Sequence, residues 1–235
     1  MIDIIPSARF VTASEVAGKT VVVIDVLRAT SVMVTAFING VESIIPVLTP
    51  EEAFAIKAQS SGPVILGGER EALPIPGFDY GNSPLSYTAE NVKGKTLVMT
   101  TSNGTRAIKA AEPAKELFIG SFLNADALVQ HLSTKEEICF VCAGTNGHYS
   151  LDDALCAGYI IDGLRCIQKD MELSDFALAT ATLYHDNKNN LNALTALGKH
   201  YCTLISKGYE NDLNYCFSTG VTEILPHWQE GRIVK

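Results

Sequence analysis

A chain of 235 residues that is 47% hydrophobic and only 19% charged has the material for a large core, which excludes intrinsic disorder. Its 26 acids against 18 lysines and arginines leave a net charge of -8, and this excludes nucleic acid and anionic membranes as partners, because both need a basic face. No apolar run reaches the ~18 residues of a membrane span, and MIDIIPSARF lacks the basic and apolar regions of a secretory signal, so a cytoplasmic protein is expected.

In chain order, the strand candidates are TVVVID (20 to 25), ESIIPV (42 to 47), VILGG (64 to 68), TLVMT (96 to 100), ELFIG (116 to 120) and EICFVCAG (137 to 144). They alternate with helical patterns, which predicts an α/β fold with a layered, largely parallel sheet. TPEEAFAIKAQ carries its own helix start, with Thr49 as cap, Pro50 at the first helical position and Glu52 three residues after the cap. SFLNADALVQHL and SLDDALCAGYIIDGL are the other clear helices. Residues 71 to 91 hold three prolines and two glycines without either periodicity, and read as a long ordered loop of the kind that is often functional. From about residue 174 the pattern is helical and polar, DNKNN (186 to 190) reads as an inter-helix turn, and VTEILPHW (221 to 228) as a last strand. Without a linker or low-complexity segment, residues 1 to 235 read as one α/β domain, open to division into two intertwined halves.

Among six cysteines, Cys139 and Cys142 form a CxxC, but inside a buried strand positions three apart point to opposite faces. No second close pair exists, so reduced core thiols are expected rather than a zinc site.

An internal echo runs through the pattern. VVVIDVLRATS and TLVMTTSNGT each pass from a buried strand into a hydroxyl-rich turn and then a helix. Ligands of open α/β sheets collect beyond the carboxyl ends of the strands, so both turns can face one crevice.

The turns themselves carry the chemistry. In TTSNGT (100 to 105), small hydroxyls, Gly104 and a helix start offer N–H groups to an anion, or Ser102 or Asn103 simply caps the helix. The lysine of a P-loop and the spacing of a dinucleotide fold are both missing. Asp25 either accepts turn N–H bonds or faces a ligand, and Arg28 beside it has the fork that grips a phosphate or sulfonate with two parallel bonds. GGER (67 to 70) repeats the theme: two glycines permit close backbone approach, then Glu69 and Arg70 follow. In CAGTNGHYSLDDAL (142 to 155), Ser150 is the expected helix cap, and Asp152 and Asp153 either complement the helix dipole or hold a hard divalent ion. His148 has no partner at ligand spacing and reads as a wall residue. Acids, arginines and hydroxyls at strand ends of one sheet compose a magnesium-assisted phosphoryl site.

IDVLRATSV, GGER, GNSP (81 to 84), TTSNGT and the CAG to SLDDALCAG segment, in that order and with GYENDLNYCF near the end, closely resemble the 2-phosphosulfolactate phosphatase family of coenzyme M biosynthesis over roughly residues 1 to 225. The resemblance implies a Mg²⁺-dependent phosphatase that converts 2-phospho-3-sulfolactate to sulfolactate. It also implies a layered α/β/α sandwich built from two related halves, with homodimerisation left open. Its motifs fall on Asp25, Arg28, Thr30, Ser31, Glu69, Arg70, Asn82, Ser83, Thr101, Ser102, Asn103, Gly104, Thr105, Asp152 and Asp153. Chemistry divides these into catalytic groups (Asp25, Arg28, Glu69), Mg²⁺ ligands (Asp25, Glu69, Asp152, Asp153) and groups for the anionic substrate (Arg28, Thr30, Ser31, Arg70, Asn82, Ser83 and residues 101 to 105). Two alternatives stand beside it. VIDV, VMTTSN and SLDD also match a haloacid-dehalogenase-like phosphatase with Asp25 as covalent nucleophile, although Leu27 replaces that family's second acid. The other is a module that binds an organic phosphate without turning it over.

Overall fold

The computed structural model describes residues 1–235. Its strands are β1 (Ile2–Ile5), β2 (Thr20–Ile24), β3 (Ser43–Pro46), β4 (Val64–Arg70), β5 (Leu73–Pro74), β6 (Thr96–Thr100), β7 (Glu116–Gly120), β8 (Ile138–Cys142), β9 (His227–Gln229) and β10 (Arg232–Val234). Each of the six apolar runs expected as strands is one, with bounds shifted by two residues at most. β1 escapes a periodicity reading because its four residues include a half-buried aspartate, Asp3, and stop before Pro6. The last strand is shorter than expected: only His227–Gln229 pairs, and Pro226, which has no N–H to give a ladder, instead accepts from the Ile119 N–H at 2.8 Å.

All ten strands join one mixed sheet in the order β1-β8-β2-β7-β9-β10-β3-β6-β4-β5. β1, β8, β2 and β7 form one parallel group. β3, β6 and β4 form a second. Between them lies the β9–β10 hairpin, antiparallel to both neighbours, so the two groups run in opposite senses along the sheet.

Side-chain alternation assigns the layers. Val22, Ile24, Phe140 and Cys142 point into a cluster roofed by the helices Ala125–Leu132, Leu151–Ile167 and Asp175–Asn187. Val21, Val23, Cys139 and Val141 point the other way, under the helices Ala29–Ile38 and Gly104–Ala110. A smaller cluster of Leu66 and Val98 is covered by the helix Pro50–Gln59. Helices on both faces of a mixed sheet make the expected layered α/β sandwich. The CxxC cysteines fall in opposite clusters, all six thiols are free, and burial pushes the Cys139 thiol up to about 12.

The sheet curls. β2 and β6 are five steps apart in strand order, which in a flat sheet separates them by about 24 Å. Yet the turns that follow them touch, since a Cβ on Gly104 would lie 2.7 Å from Asp25 Oδ2. Twist accumulated over the intervening strands brings the carboxyl ends of the two opposed groups together. No helix is long and apolar enough to cross a membrane.

Candidate active site

Where these carboxyl ends meet, a cavity of about 670 Å³ opens, a volume suited to a small ligand. The turn after β2 contributes Asp25, Leu27 and Arg28 to its wall; β4 contributes Glu69; the turn after β6 contributes Ser102 and Asn103. The turn after β8 brings Thr145, His148, Ser150 and Asp152, and the long loop brings Asn82. The crevice expected from the internal echo is therefore present.

The two echoing turns use one device. In the first, Thr30 Oγ1 accepts from the Asp25 N–H at 3.0 Å while Asp25 Oδ1 accepts from the Ala29 N–H at 3.3 Å. In the second, the Thr101 N–H donates to Thr105 Oγ1 and the Thr105 N–H to Thr101 Oγ1, both at 3.1 Å. In the second turn Thr101 supplies the side-chain bond to the helix start, and Asn103, at the N-cap position, makes none.

The acids have distinct duties. Asp25 is buried, and desolvation, reinforced by Asp152 and Glu69 and opposed by the Ala29 N–H and Arg28, pushes its carboxyl up to about 7. Asp152 is held by Ser150, whose hydroxyl donates to it at 2.5 Å instead of capping the helix. Asp153 is off the cavity wall: its oxygens accept from the Val26 N–H at 2.8 Å and the Gly144 N–H at 3.0 Å, and so tie the β2 turn to the β8 turn. Burial and the Asp152 and Asp25 carboxylates raise its pKa well above the ordinary range. Glu69 faces the cavity but is also a backbone anchor, accepting from the Ser102 N–H at 2.7 Å and the Ala72 N–H at 2.8 Å.

Several residues expected to grip substrate are engaged elsewhere. Arg70 is absent from the wall and spends its guanidinium on the Glu69 and Leu48 carbonyls and on Thr100 Oγ1 at 2.8 Å. Thr101 is buried in its turn, and Thr30, Ser31 and Thr105 in the first turns of the helices that follow, where the Ser31 hydroxyl donates to the Val26 carbonyl at 2.8 Å. Ser83 donates to Asp212 at 2.7 Å. Gly104 gives space to Ala29 and Asp25 rather than to a ligand, and the close approaches at Gly67 and Gly68 are to Tyr87 and the Thr100 carbonyl.

Arg28 does reach the cavity, in a setting that its sequence neighbours do not disclose. Its Nη1 pairs with the buried Asp212 at 2.5 Å, and the guanidinium stacks 3.9 Å above the Tyr209 ring. Both partners lie in GYENDLNYCF, about 180 residues later in the chain; the Asp and aromatic near a helix start were the only signal. Asn82 is equally buried, lines the cavity, and its Oδ1 has no hydrogen-bond partner. Sequence reasoning also missed Lys199 and His200, at the start of the helix Lys199–Ser206, and Lys207 just after it, which form part of the wall.

No three side-chain donors converge as a ready-made metal site. Magnesium, however, takes only one or two carboxylates when waters and substrate phosphate complete its shell. Asp25 and Asp152 fit that need, because their mutual repulsion in a buried site is relieved by a hard cation.

The fold and cavity define a class: an α/β protein with a buried, acid-lined ligand site at the carboxyl ends of its strands. The model of the family described as 2-phosphosulpholactate phosphatase matches residues 7–231. The chain belongs to that family. It is 47% identical to a "Probable 2-phosphosulfolactate phosphatase" of Clostridium novyi (strain NT), over 100% of this chain and 99% of the relative. A protein of the same name from Clostridium tetani (strain Massachusetts / E88) is 46% identical over 99% of both chains, and one from Clostridium acetobutylicum is 42% identical, again over 99% of both.

Proposed function

We propose that the chain hydrolyses 2-phosphosulfolactate, the compound in its relatives' names, to sulfolactate and inorganic phosphate, with Mg²⁺ as cofactor. A water oxygen bonds to phosphorus as the phosphorus bond to the C2 oxygen breaks, and the proton that the water gives up balances the one the departing alkoxide takes. The observation that carries this reading is the convergence of Asp25 and Asp152 in one cavity with the buried Asn82, whose Oδ1 is unpartnered.

Asp25 and Asp152 would hold Mg²⁺, which when bound would neutralise the phosphoryl oxygens and activate the attacking water. Arg28 donates to Asp212 through Nη1 alone, so the rest of its fork is free for a substrate oxygen, and Asp212 with Tyr209 fixes the orientation of that fork. Asn82 and Asn103 offer amides at the wall. Glu69, by gripping the Ser102 and Ala72 N–H groups, positions the turns that present Asn103. Leu27 is buried at the wall where a covalent mechanism of the haloacid-dehalogenase kind would need an acid, which favours direct attack by water.

The decisive experiment is phosphate release from 2-phosphosulfolactate by the purified protein, before and after exhaustive chelation. Release that stops with chelation and returns with Mg²⁺ is expected. Release indifferent to chelation overturns the metal, and binding without release at any metal concentration leaves a phosphate-binding module.

A further inference from the structure

The cavity wall carries acids and bases on different elements. Asp25, Glu69 and Asp152 line it, and Arg28, the sole arginine on the wall, is paired through Nη1 with Asp212; the basic stretch is termed the lip. The lip is built from the helix Lys199–Ser206 and the residue that follows it. On this lip Lys207 donates to the Glu71 carbonyl and pins the hairpin tip opposite. His200 Nδ1 lies 2.9 Å from Thr145 Oγ1, itself 3.3 Å from the Ser150 hydroxyl that holds Asp152. Lys199 forms no ion pair, and it is exposed at the mouth.

On the phosphatase reading, on which this inference rests, the substrate brings a phosphate, a carboxylate and a sulfonate, more negative charge than Mg²⁺ and the single arginine of the wall can meet. Arg70, the second arginine of the motifs, does not reach the cavity. We propose that Lys199 is the specificity-determining residue for the sulfonate, a permanently charged tetrahedral oxyanion that would project from the metal-facing acids toward the lip. A lysine suits this position, because its compact ammonium on a flexible stem reaches a terminal oxyanion without the fixed planar geometry of a guanidinium. Phosphate esters of the same carbon skeleton that lack the sulfonate would forgo this contact.

The test compares kcat/KM for 2-phosphosulfolactate with that for 2-phospholactate in the wild-type protein, Lys199→Gln and Lys199→Arg. Loss of a charge-assisted hydrogen bond predicts that the preference for the sulfonate substrate falls about tenfold in Lys199→Gln, through KM, and recovers in Lys199→Arg. A preference that stays at the wild-type value in Lys199→Gln overturns the assignment and leaves the phosphatase reading intact. Calorimetric binding of sulfolactate against lactate decides the same question without turnover: equal sulfolactate affinity in wild type and Lys199→Gln also overturns it. Absence of phosphate release from both esters by the wild type would instead strike the phosphatase reading.

Discussion

Asp25 concentrates the questions that can be asked of single residues. As a metal ligand it predicts that Asp25→Asn raises the Mg²⁺ concentration for half-maximal activity at least tenfold, with partial recovery at high metal, because a neutral amide is a poorer donor. Titration of phosphate release against Mg²⁺ measures this, and a variant dead at every concentration, together with phosphate covalently bound to Asp25 in the wild type, would identify a nucleophile instead. Gly104 makes a second prediction. Its added Cβ would lie 2.5 Å from the Ala29 Cβ and 2.7 Å from Asp25 Oδ2, and its φ is not positive, so the requirement is space and not backbone freedom. Gly104→Ala should cost about 1–3 kcal/mol through overpacking, lowering the melting temperature by several degrees, and should raise the Mg²⁺ requirement as Asp25 is displaced. A variant with wild-type melting and metal response would show that the two turns yield freely. How far residues were legible from sequence follows from range. Asp25, Glu69 and Asp152 were legible because acids that follow apolar strand runs stand out on their own, whereas Asn82 came only through the family resemblance of GNSP. The fates of Arg28 and Arg70 were not legible, since guanidinium partners such as Asp212 and Thr100 are chosen by tertiary approach.

At the scale of elements, the hairpin joining β4 to β5 is conformationally costly. Arg70 pairs with Leu73, and the two residues between them, Glu71 and Ala72, have φ of 53° and 62°, the primed turn that ordinarily calls for asparagine and glycine. Glu69 offsets part of the cost by accepting the Ala72 N–H. Ala72→Gly should therefore stabilise the protein, by about 1 kcal/mol from relief of the left-handed alanine, read as a rise in the thermal midpoint. An unchanged or lower midpoint would mean that the partial packing of the Ala72 methyl against the core outweighs the strain. The same scale shows what periodicity can deliver. Apolar runs flanked by turn residues located six of the strands, because burial on both faces writes itself into consecutive residues. β5 and the β9–β10 hairpin have two or three residues per strand and owe their conformation to pairing, so only β9, at the end of VTEILPHW, is marked by a local pattern.

For the molecule as a whole, the buried acids set the dependence of stability on pH. Asp25, ordinarily near 3.8, is raised to about 7, and Asp153 is raised as well. The folded state thus holds these protons more tightly than the unfolded state, and for Asp25 the stabilising effect is complete below the ordinary value and is lost as pH rises through about 7. Metal-free protein should melt several degrees lower at pH 8 than at pH 5.5, Asp25→Asn should flatten that slope, and added Mg²⁺ should raise the midpoint more at pH 8 than at pH 5.5. Differential scanning calorimetry with and without EDTA checks all three, and a metal-free midpoint that climbs across this range would refute the assignment of Asp25 as the dominant buried acid. The β9–β10 hairpin has a different consequence, one for the order of events at the ribosome. It is made after every strand it joins, so while the chain is being synthesised β7 and β3 each expose an open edge. The turns of the two groups then have no common sheet to hold them together, and a nascent chain interrupted before residue 227 would present two sticky half-sheets and no finished cavity. Completion of the cavity in this way waits for synthesis of the β9–β10 hairpin, and chaperone demand should peak in the interval before it.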